Sequence, residues 1–578
     1  MQKLELTWIG KNEEIKVEPR ILLHDPSKDY GDKNTDNILI HGDNLLALKA
    51  LESKYAGLIK CIYIDPPYNT GEAFEEYNDN LEHSIWLGLM YERLKCLKAL
   101  LAPDGTIFVQ LNDDEMNYCK VIMDEIFGRS NFVNIISVKT KNSSGASGGG
   151  EDRKLKKNIE YILCYGGEEF KKFNPSFTKK ELSDYLDEMR KSRKSFKYTS
   201  VLTDIGDREF VKTIKDGSGQ DIKVYRHSSY KTCGIKQLSK EADISEIDAF
   251  NKYFEQVYTT ENAQTSIRTR VQEAMPGFDG LISIDYYPVS GRNKGKLTTV
   301  YFVGENKRLV SFFKNVCTRE RGYIYKKEKV GSLWDDLNWN NVNREGGVTF
   351  SGGKKPEVLL QRILELATNE GDLVLDSFLG SGTTAAVATK MNRKWIGVEL
   401  GDHAYSLCKP RLNRVIDGED HNGISQDVEW NGGSGYKFYE LAPSLITTDS
   451  YGNKIIDPNY NEDMLAAAVA LLNGYTYAPD KEIYWKQGFS TERSFIFTTT
   501  KFITREILDS INDSVPEEIN LLICSPAFEI GLNSAYQNIT LKKIPQSVLD
   551  KCTYGNVDYS LPIVEKSNFT NEEEFVDD

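Results

Sequence analysis

Residues 63–71 read Tyr-Ile-Asp-Pro-Pro-Tyr-Asn-Thr-Gly, and residues 376–384 read Asp-Ser-Phe-Leu-Gly-Ser-Gly-Thr-Thr. Each stretch follows a short apolar run, 58–64 in the first case and 373–376 in the second. Apolar runs of this kind are typical of buried parallel strands, and the loops that follow such strands carry the ligand sites of α/β sheets. The two stretches therefore predict two functional loops on one α/β domain.

Strand and helix patterns alternate on both sides of these loops. Around the first loop, a strand is expected near 37–40, a helix with apolar residues at 45, 48 and 51, a helix from 87 that ends at Pro103, and a strand over 106–111. Around the second loop, a helix from Pro356, a helix over 383–391 and a strand over 395–399 are expected. This alternation predicts a parallel, doubly wound sheet that is built from two separate blocks of the chain.

The segment between the two blocks has a different character. It opens with the glycine- and serine-rich stretch 142–150, which is typical of a linker, and it carries basic clusters among Tyr and Phe residues. The cluster Arg190, Lys191, Arg193 and Lys194 is predicted to contact nucleic acid phosphates. The net charge of −14 does not exclude this partner, because binding requires a local basic surface and not a basic chain.

Bulk composition excludes several classes of protein. With 578 residues the chain exceeds a single core and is expected to form three or four domains. No apolar run has the roughly 18 residues of a membrane helix, and the first residues lack the apolar core of a signal peptide. None of the nine cysteines forms a Cys-x-x-Cys pair, so no metal site and no disulfide framework is predicted.

The 376–384 stretch has the features of a nucleotide-binding turn. Gly380 and Gly382 permit close backbone approach, and a helix that starts at Thr383 presents free N–H groups to a ligand. Glu399, at the end of the next expected strand, is placed to accept hydrogen bonds from ribose hydroxyls. No lysine precedes Thr384, so the loop does not match the phosphate-binding pattern of ATPases. We interpret it as an S-adenosylmethionine site.

The 65–68 stretch suits methylation of an exocyclic amine. Such an amine is a poor nucleophile because its lone pair is delocalised into the base. The carboxylate of Asp65 and the carbonyl of Pro66 can accept its two hydrogens, with Pro67 fixing the turn and Tyr68 stacking on the base. Because the amine lies inside duplex DNA, the nucleotide must first be flipped out.

The sequence resembles β-type DNA amino-methyltransferases, and more closely the modification subunits of type III restriction–modification systems. The resemblance is carried by His-Gly-Asp-Asn-Leu-Leu at 41–46, Ile-Asp-Pro-Pro-Tyr-Asn-Thr-Gly at 64–71, Lys-Pro-Glu-Val-Leu-Leu at 355–360, the 376–384 stretch and Ile-Gly-Val-Glu-Leu at 396–400. It implies a Rossmann-like sheet in permuted order, with the catalytic half before the cofactor half. The cofactor residues that it implies are Asp43, Asn44, Lys355, Pro356, Asp376, Phe378, Gly380, Gly382, Thr383, Thr384 and Glu399.

The resemblance also implies a division of the chain and a set of partners. The expected parts are an N-terminal extension (1–36), a catalytic half (37–140), a target-recognition domain (141–335), a cofactor half (336–418) and a C-terminal α+β domain (419–578). The implied reaction is transfer of a methyl group from S-adenosylmethionine to adenine N6 in double-stranded DNA. The implied assembly is a homodimer joined by a separate restriction subunit, in the bacterial cytoplasm.

Other functions remain open at this stage. A cytosine-N4 methyltransferase uses the same chemistry, although those enzymes more often have Ser where Asp65 stands. A solitary methyltransferase without a restriction partner, an assembly subunit without catalysis, and an RNA or protein methyltransferase are further alternatives. The DNA sequence that is recognised cannot be read from the chain.

Overall fold

The computed structural model describes residues 5–11, 17–18, 20–68, 83–141, 157–262, 266–289, 293–339, 342–350, 353–448 and 454–544. The chain divides into two compact units, Met1–Asn174 together with Gly331–Asp578, and Pro175–Val330. The expected linker at 142–150 lies outside the described residues.

In its described residues, the first block of the large unit contains seven strands and three α-helices. Its strands are β1 Leu22–His24, β2 Tyr30–Gly31, β3 Ile38–His41, β4 Ile59–Ile64, β5 Leu101–Leu111, β6 Phe132–Lys139 and β7 Ile159–Gly166. Its helices are α1 Asn44–Tyr55, α2 His83–Leu100 and α3 Met116–Met123, and a π-helical turn, Asp124–Gly128, extends α3.

The small unit, Pro175–Val330, is mainly antiparallel. Its strands are β8 Phe177–Glu181, β9 Ser200–Asp204, β10 Asp207–Lys215, β11 Asp221–Ser228, β12 Lys231–Gly234, β13 Val257–Glu261, β14 Leu281–Tyr286, β15 Thr298–Val303, β16 Arg308–Phe312, β17 Cys317–Glu320 and β18 Tyr323–Lys329. Its helices are α4 Leu182–Lys191, α5 Ile235–Glu241, α6 Glu246–Lys252 and α7 Ser266–Ala274. The strands form an eight-stranded sheet and a three-stranded sheet.

The chain then returns to the large unit. The next strands are β19 Leu333–Trp334, β20 Leu373–Asp376, β21 Lys394–Glu399 and β22 Gly435–Leu441, with helices α8 Glu357–Ala367, α9 Thr383–Lys390 and α10 Lys409–Ile416. The last part contains β23 Ile446–Thr448, β24 Lys454–Ile456, β25 Thr476–Tyr477, β26 Gly488–Thr491, β27 Ser494–Thr498, β28 Asn520–Ser525 and β29 Ile539–Lys543, with helices α11 Glu462–Leu472 and α12 Arg505–Asn512.

One mixed sheet joins the two blocks, in the order β1-β22-β3-β21-β20-β4-β5-β7-β6-β19. Its centre is parallel from β22 to β5, and β7 pairs antiparallel with both β5 and β6. The central strands are buried on both faces, which explains their near-continuous apolar sequences. The predicted doubly wound α/β fold is confirmed, with an antiparallel extension at one edge.

Four expected boundaries differ from the structure, and the reason is the same in each case. Residues 159–166, assigned to the recognition domain, form β7 of the main sheet, and Leu333–Trp334 pairs with β6. Gly435–Leu441, assigned to the C-terminal domain, pairs with β3, and Leu22–His24 of the N-terminal extension pairs with it in turn. Pairing between strands that are distant in sequence leaves no local pattern. The alternation of strand and helix patterns therefore does not show to which sheet such a strand belongs.

The helix expected to end at Pro103 ends earlier. It stops at Leu100, and Leu101 is already paired with Ile59, with a register shift before Thr106 joins Cys61. The strand therefore absorbs Pro103 at its irregular start, where proline is tolerated.

The C-terminal part has its own five-stranded sheet, β25-β26-β27-β28-β29, in which β27, β28 and β29 are parallel. This agrees with the expected α+β character. Among the described residues, no helix is both long and apolar enough to cross a bilayer, and no cluster of His, Cys, Asp and Glu side chains has the arrangement of a metal site.

Candidate active site

The ends of β4 and β20 lie side by side. Cys61 is the register partner of Val374 and Ile62 that of Leu375, in a parallel pair. β4 ends at Ile64 and β20 at Asp376. Beyond these ends the chain enters the Asp-Pro-Pro-Tyr loop on one side and the glycine-rich loop on the other. Because parallel strands end at the same edge of a sheet, the two loops predicted from sequence share one edge.

The Asp65 carboxylate lies in a tight polar corner. Its Oδ1 accepts a hydrogen bond of 2.6 Å from the Tyr68 hydroxyl, and its Oδ2 lies 3.2 Å from the Lys355 ammonium. The carbonyl of Pro67 accepts a 2.8 Å hydrogen bond from the indole of Trp86, which fixes the proline turn. Burial raises the pKa of Asp65 to about 6, although the charge of Lys355 opposes this shift.

A second carboxylate, Glu160 of β7, completes this corner. Its Oε2 accepts a hydrogen bond of 2.5 Å from Gln110 and lies 3.2 Å from the Lys355 ammonium. It also lies 2.8 Å from the Tyr68 hydroxyl, whose single hydrogen it shares with Asp65. Sequence analysis missed Glu160 because it assigned 141–335 to the recognition domain. The signal was an acidic residue at the start of an apolar run of strand length.

The glycine-rich loop is held by two carboxylates. Asp376 accepts hydrogen bonds from the amide of Phe378 at 3.0 Å and from the hydroxyl of Thr384 at 2.5 Å. Glu399 accepts a hydrogen bond of 2.6 Å from the Gly380 amide. Burial raises the pKa of Asp376 to about 7. These bonds fix the turn, so the loop has a defined shape before any ligand enters.

The two glycines of this loop adopt backbone conformations that other residues avoid. Gly380 has φ +55° and Gly382 has φ +78°. Gly382 precedes the first residue of α9, so the left-handed turn aims the helix N-terminus into the loop. The predicted role of the two glycines, close backbone approach to a ligand, stays a prediction.

Asp43 and Asn44 lie at the start of α1, next to the same edge. Asp43 caps the helix by accepting a hydrogen bond from the Leu46 amide, and Asn44 donates a 2.8 Å bond to the carbonyl of Ser377. The buried guanidinium of Arg93 bonds both side chains, at 3.1 Å to Asp43 and 2.5 Å to Asn44. The catalytic block is thereby tied directly to the glycine-rich loop.

Comparison with known proteins identifies the family. The family described as DNA methylase matches residues 59–276 and 295–410, which together make up more than half of the chain. The chain belongs to the DNA methylase family.

Two curated relatives share long stretches with this DNA methylase. The chain is 44% identical over 411 residues to the probable type III restriction-modification enzyme HindVI Mod subunit of Haemophilus influenzae, covering 71% of this chain and 54% of the relative. It is 22% identical over 517 residues to the type III restriction-modification enzyme EcoP15I Mod subunit of Escherichia coli, covering 80% and 75%. The chain thus spans about half the length of the first relative.

In this methylase, Lys355 occupies a different place from the one expected. It was grouped with the cofactor residues, but its ammonium lies among Asp65, Tyr68 and Glu160, 2.8 Å from the Tyr68 hydroxyl. Only its backbone carbonyl faces the glycine-rich loop, where it accepts a long 3.4 Å bond from Thr383. Pro356 is the cap residue that precedes α8 and not its first helical residue.

The methylase also contains a buried cation beneath the glycine-rich loop that sequence analysis did not find. Arg411 of α10 donates hydrogen bonds to Thr383 Oγ1 at 2.7 Å and to Glu357 Oε1 at 2.8 Å. Glu357 is paired in addition with Lys390, at 2.7 Å, and Lys390 with Asp420, at 2.6 Å. Three helices are joined in this way under the loop.

The predicted nucleic-acid residues all lie in the small unit. Arg190 lies in the last turn of α4 and is paired with Asp187 and Glu246, at 3.0 Å each. The side chains of Arg190, Lys191, Arg193 and Lys194 are all exposed. Arg193 adopts φ +54°, in the turn that follows the helix. The charge of Arg190 is therefore partly neutralised within the unit.

Proposed function

We propose that this chain is a site-specific DNA methyltransferase that transfers a methyl group from S-adenosylmethionine to adenine N6. The observation that carries this proposal is the register between β4 and β20, which brings the Asp-Pro-Pro-Tyr loop and the glycine-rich loop to one sheet edge. Neither loop alone requires this chemistry. Together they place an amine-polarising corner beside a nucleoside-binding turn.

The residues around Asp65 are suited to making an aromatic amine nucleophilic. The Asp65 carboxylate and the Pro66 carbonyl accept the two amine hydrogens, which draws the nitrogen toward tetrahedral geometry and frees its lone pair. The ring of Tyr68, which is partly exposed, stacks on the flipped base. When bound, S-adenosylmethionine supplies an electrophilic methyl group. The excess proton of the methylated amine passes to the Asp65 carboxylate.

The loop residues fit the cofactor. Glu399 ends β21 with its carboxylate beside the loop, in the position from which ribose hydroxyls are bound. The buried hydroxyl of Ser377 has no hydrogen-bond partner among the described residues, so it is available to a ligand. Backbone amides at the start of α9 face the same space. A nucleoside with a short charged tail suits this donor and acceptor set.

The biological context that we propose is modification within a type III restriction system. Both curated relatives described above are Mod subunits of type III enzymes. We infer that the small unit, Pro175–Val330, reads the DNA sequence, that the chain acts as a homodimer, and that a separate restriction subunit supplies cleavage. Cytosine N4 is the alternative target, because the same corner accepts either amine.

A direct assay separates these candidates. Purified chain with tritiated S-adenosylmethionine is incubated with double-stranded DNA, RNA and protein, and the DNA is then digested to nucleosides. We expect label in DNA alone, as N6-methyl-2′-deoxyadenosine. Label in N4-methylcytosine would show that the target is cytosine N4 and not adenine N6. Label in RNA or protein only would overturn the DNA assignment. Long-read sequencing of DNA from expressing cells then reports the recognised sequence.

A further inference from the structure

We propose that Glu160 is a positioning residue of the active site, which shares the Lys355 ammonium with Asp65 and so leaves the corner with a net negative charge toward the target amine. The inference rests on the proposed function and extends it to a residue outside both sequence motifs. Asp65 and Pro66 polarise the amine without the help of Glu160, so the inference gives the Glu160 carboxylate a role of its own.

The geometry places one cation between two carboxylates. Lys355 Nζ lies 3.2 Å from Asp65 Oδ2 and 3.2 Å from Glu160 Oε2. The three side chains are only 10–19% exposed, so water screens their charges poorly. Two negative charges and one positive charge give the corner a net charge of −1.

The position of Glu160 is fixed by a chain of hydrogen bonds from the sheet. The Tyr63 hydroxyl of β4 donates a 2.7 Å bond to Gln110 Oε1 of β5, and Gln110 Nε2 in turn donates to Glu160 Oε2. Tyr63 and Gln110 are fully buried, and Tyr63 lies near the end of β4, two residues before Asp65 in the loop that follows. A buried relay of this kind costs desolvation, and here it serves to hold one acidic group against Lys355.

Without Glu160, Asp65 would be the only carboxylate in contact with the Lys355 ammonium. The ammonium would then neutralise the Asp65 carboxylate and compete with the target amine for its oxygens. With Glu160 present, Lys355 is held between two acceptors and Asp65 keeps acceptor capacity. The Tyr68 hydroxyl, which contacts both carboxylates at 2.6 and 2.8 Å, closes the arrangement.

The net negative charge matters in the methyl-transfer step. The amine lone pair forms the new N–C bond while the C–S bond breaks and its electron pair stays on sulfur, so positive charge develops on the nitrogen. One N–H proton then passes to the Asp65 carboxylate. A corner of charge −1 stabilises the developing cation, whereas a corner of charge zero does so weakly.

The same electrostatics predicts opposite pH effects for the two partners of Asp65. Burial raises the pKa of Asp65, Lys355 lowers it and Glu160 raises it, with Asp376 and the hydroxyls of Tyr63 and Tyr68 as the other titratable neighbours. Loss of the Glu160 charge should therefore lower the pKa of Asp65. Loss of the Lys355 charge should raise it.

The test compares three variants of the full chain. E160Q and K355Q remove one charge each with little change in shape, and E168Q removes an exposed carboxylate after the far end of β7 as the control. The dependence of kcat/KM for DNA on pH is measured at saturating S-adenosylmethionine. Unfolding midpoints and S-adenosylmethionine affinity are measured for each variant.

For E160Q we expect kcat to fall about 10- to 100-fold, with cofactor affinity unchanged and the acid limb displaced to lower pH. For K355Q the acid limb moves to higher pH, and E168Q behaves as the wild type. A merely structural role of Glu160 would lower activity without moving the acid limb.

An acid limb of E160Q that stays in place, or moves in the same direction as that of K355Q, would overturn the inference. If E160Q fails to fold, K355Q decides alone, since an unshifted limb there contradicts a shared ammonium. A wild-type chain that methylates DNA while E160Q is fully active refutes this inference and leaves the proposed function intact. A wild-type chain that transfers no methyl group to DNA refutes both.

Discussion

The guanidinium of Arg411 donates a 2.7 Å hydrogen bond to the hydroxyl of Thr383, the first residue of the helix that follows the glycine-rich loop. Arg411 is fully buried and reaches Glu357 at 2.8 Å on its other side. A long side chain that is this completely desolvated and bonded in two directions fixes the distance between its partners. The start of α9 is thereby held in place by contacts with α10 and α8.

We expect Arg411→Met to destabilise the large unit and to weaken cofactor binding together. Removing one partner of a buried ion pair costs about 3–5 kcal/mol, and the lower end is expected here because Glu357 keeps its bond to Lys390. Arg411→Lys retains the charge without the two-pronged geometry. Its stability and cofactor affinity should fall between those of the wild type and those of Arg411→Met. Urea unfolding and calorimetric titration with S-adenosylmethionine are the measurements. Unchanged stability and affinity in the methionine variant would contradict the role.

Asp65→Asn should remove methyl transfer and leave cofactor binding nearly intact. The carboxylate acts on the target amine, so its loss appears in the chemical step, where such contributions are about 10²–10⁴ in rate. Single-turnover methylation of DNA and calorimetry with S-adenosylmethionine separate the two effects. A variant that retains more than half of the normal turnover would show that this corner is not the catalytic one.

The residues that sequence analysis identified share one property, which is that local sequence marks them. Asp65 and Gly380 lie in short motifs whose spacing reflects a strand followed by a tight turn, and Glu399 ends a recognisable strand. In such cases neighbouring residues impose the geometry. The sheet class follows from the same local periodicity.

Glu160 and Arg411 were missed because their roles depend on distant contacts. Glu160 reaches the corner only because β7 pairs antiparallel with β5, and nothing near residue 160 records that pairing. Arg411 looks like a polar residue of an amphipathic helix, but α9 and Glu357 bury it completely. The misplaced Lys355 belongs to the same group, since its motif predicted a functional residue but not the direction of its side chain.

Asp376 should make the large unit less stable as pH rises from about 4 to 7. Burial raises its pKa from an ordinary 3.8 to about 7, so the folded chain keeps a proton in this range that the unfolded chain releases. Stability therefore falls with rising pH by at most about 1.4 kcal/mol per pH unit and levels off above pH 7. Asp376→Asn cannot titrate. The unfolding free energy of the wild type minus that of the variant should therefore decrease as pH rises through this window, and a constant difference would contradict the shift.

Gly380→Val should weaken S-adenosylmethionine binding at least about tenfold. At φ +55° a side chain costs roughly 1–2 kcal/mol, more when β-branched, and the added Cβ would lie 3.9 Å from the ring of Phe350. Gly371→Ala is the matched control, because Gly371 has φ +81° but no atom within 4 Å of an added Cβ. Calorimetry should show reduced affinity for the first variant only. Glu399→Gln, which loses a charged acceptor beside the loop, should weaken binding as well.

The final prediction concerns the basic cluster of the small unit. Replacing Lys191, Arg193 and Lys194 with alanine should weaken binding to all DNA sequences about equally, and the salt dependence of log K should flatten by about 0.9 for each phosphate that is no longer neutralised. Adding Arg190→Ala should weaken binding further, but by less than each of the other three replacements, since Asp187 and Glu246 partly neutralise Arg190. Replacing Lys236 and Lys240, which are exposed on α5, serves as the control.

Exchanging only 175–330 with the equivalent unit of a relative keeps Glu160 in place and should change which sequence is methylated. A hybrid that stays active on its original sequence would place recognition outside this unit, because phosphate contacts set affinity while base-edge contacts set specificity.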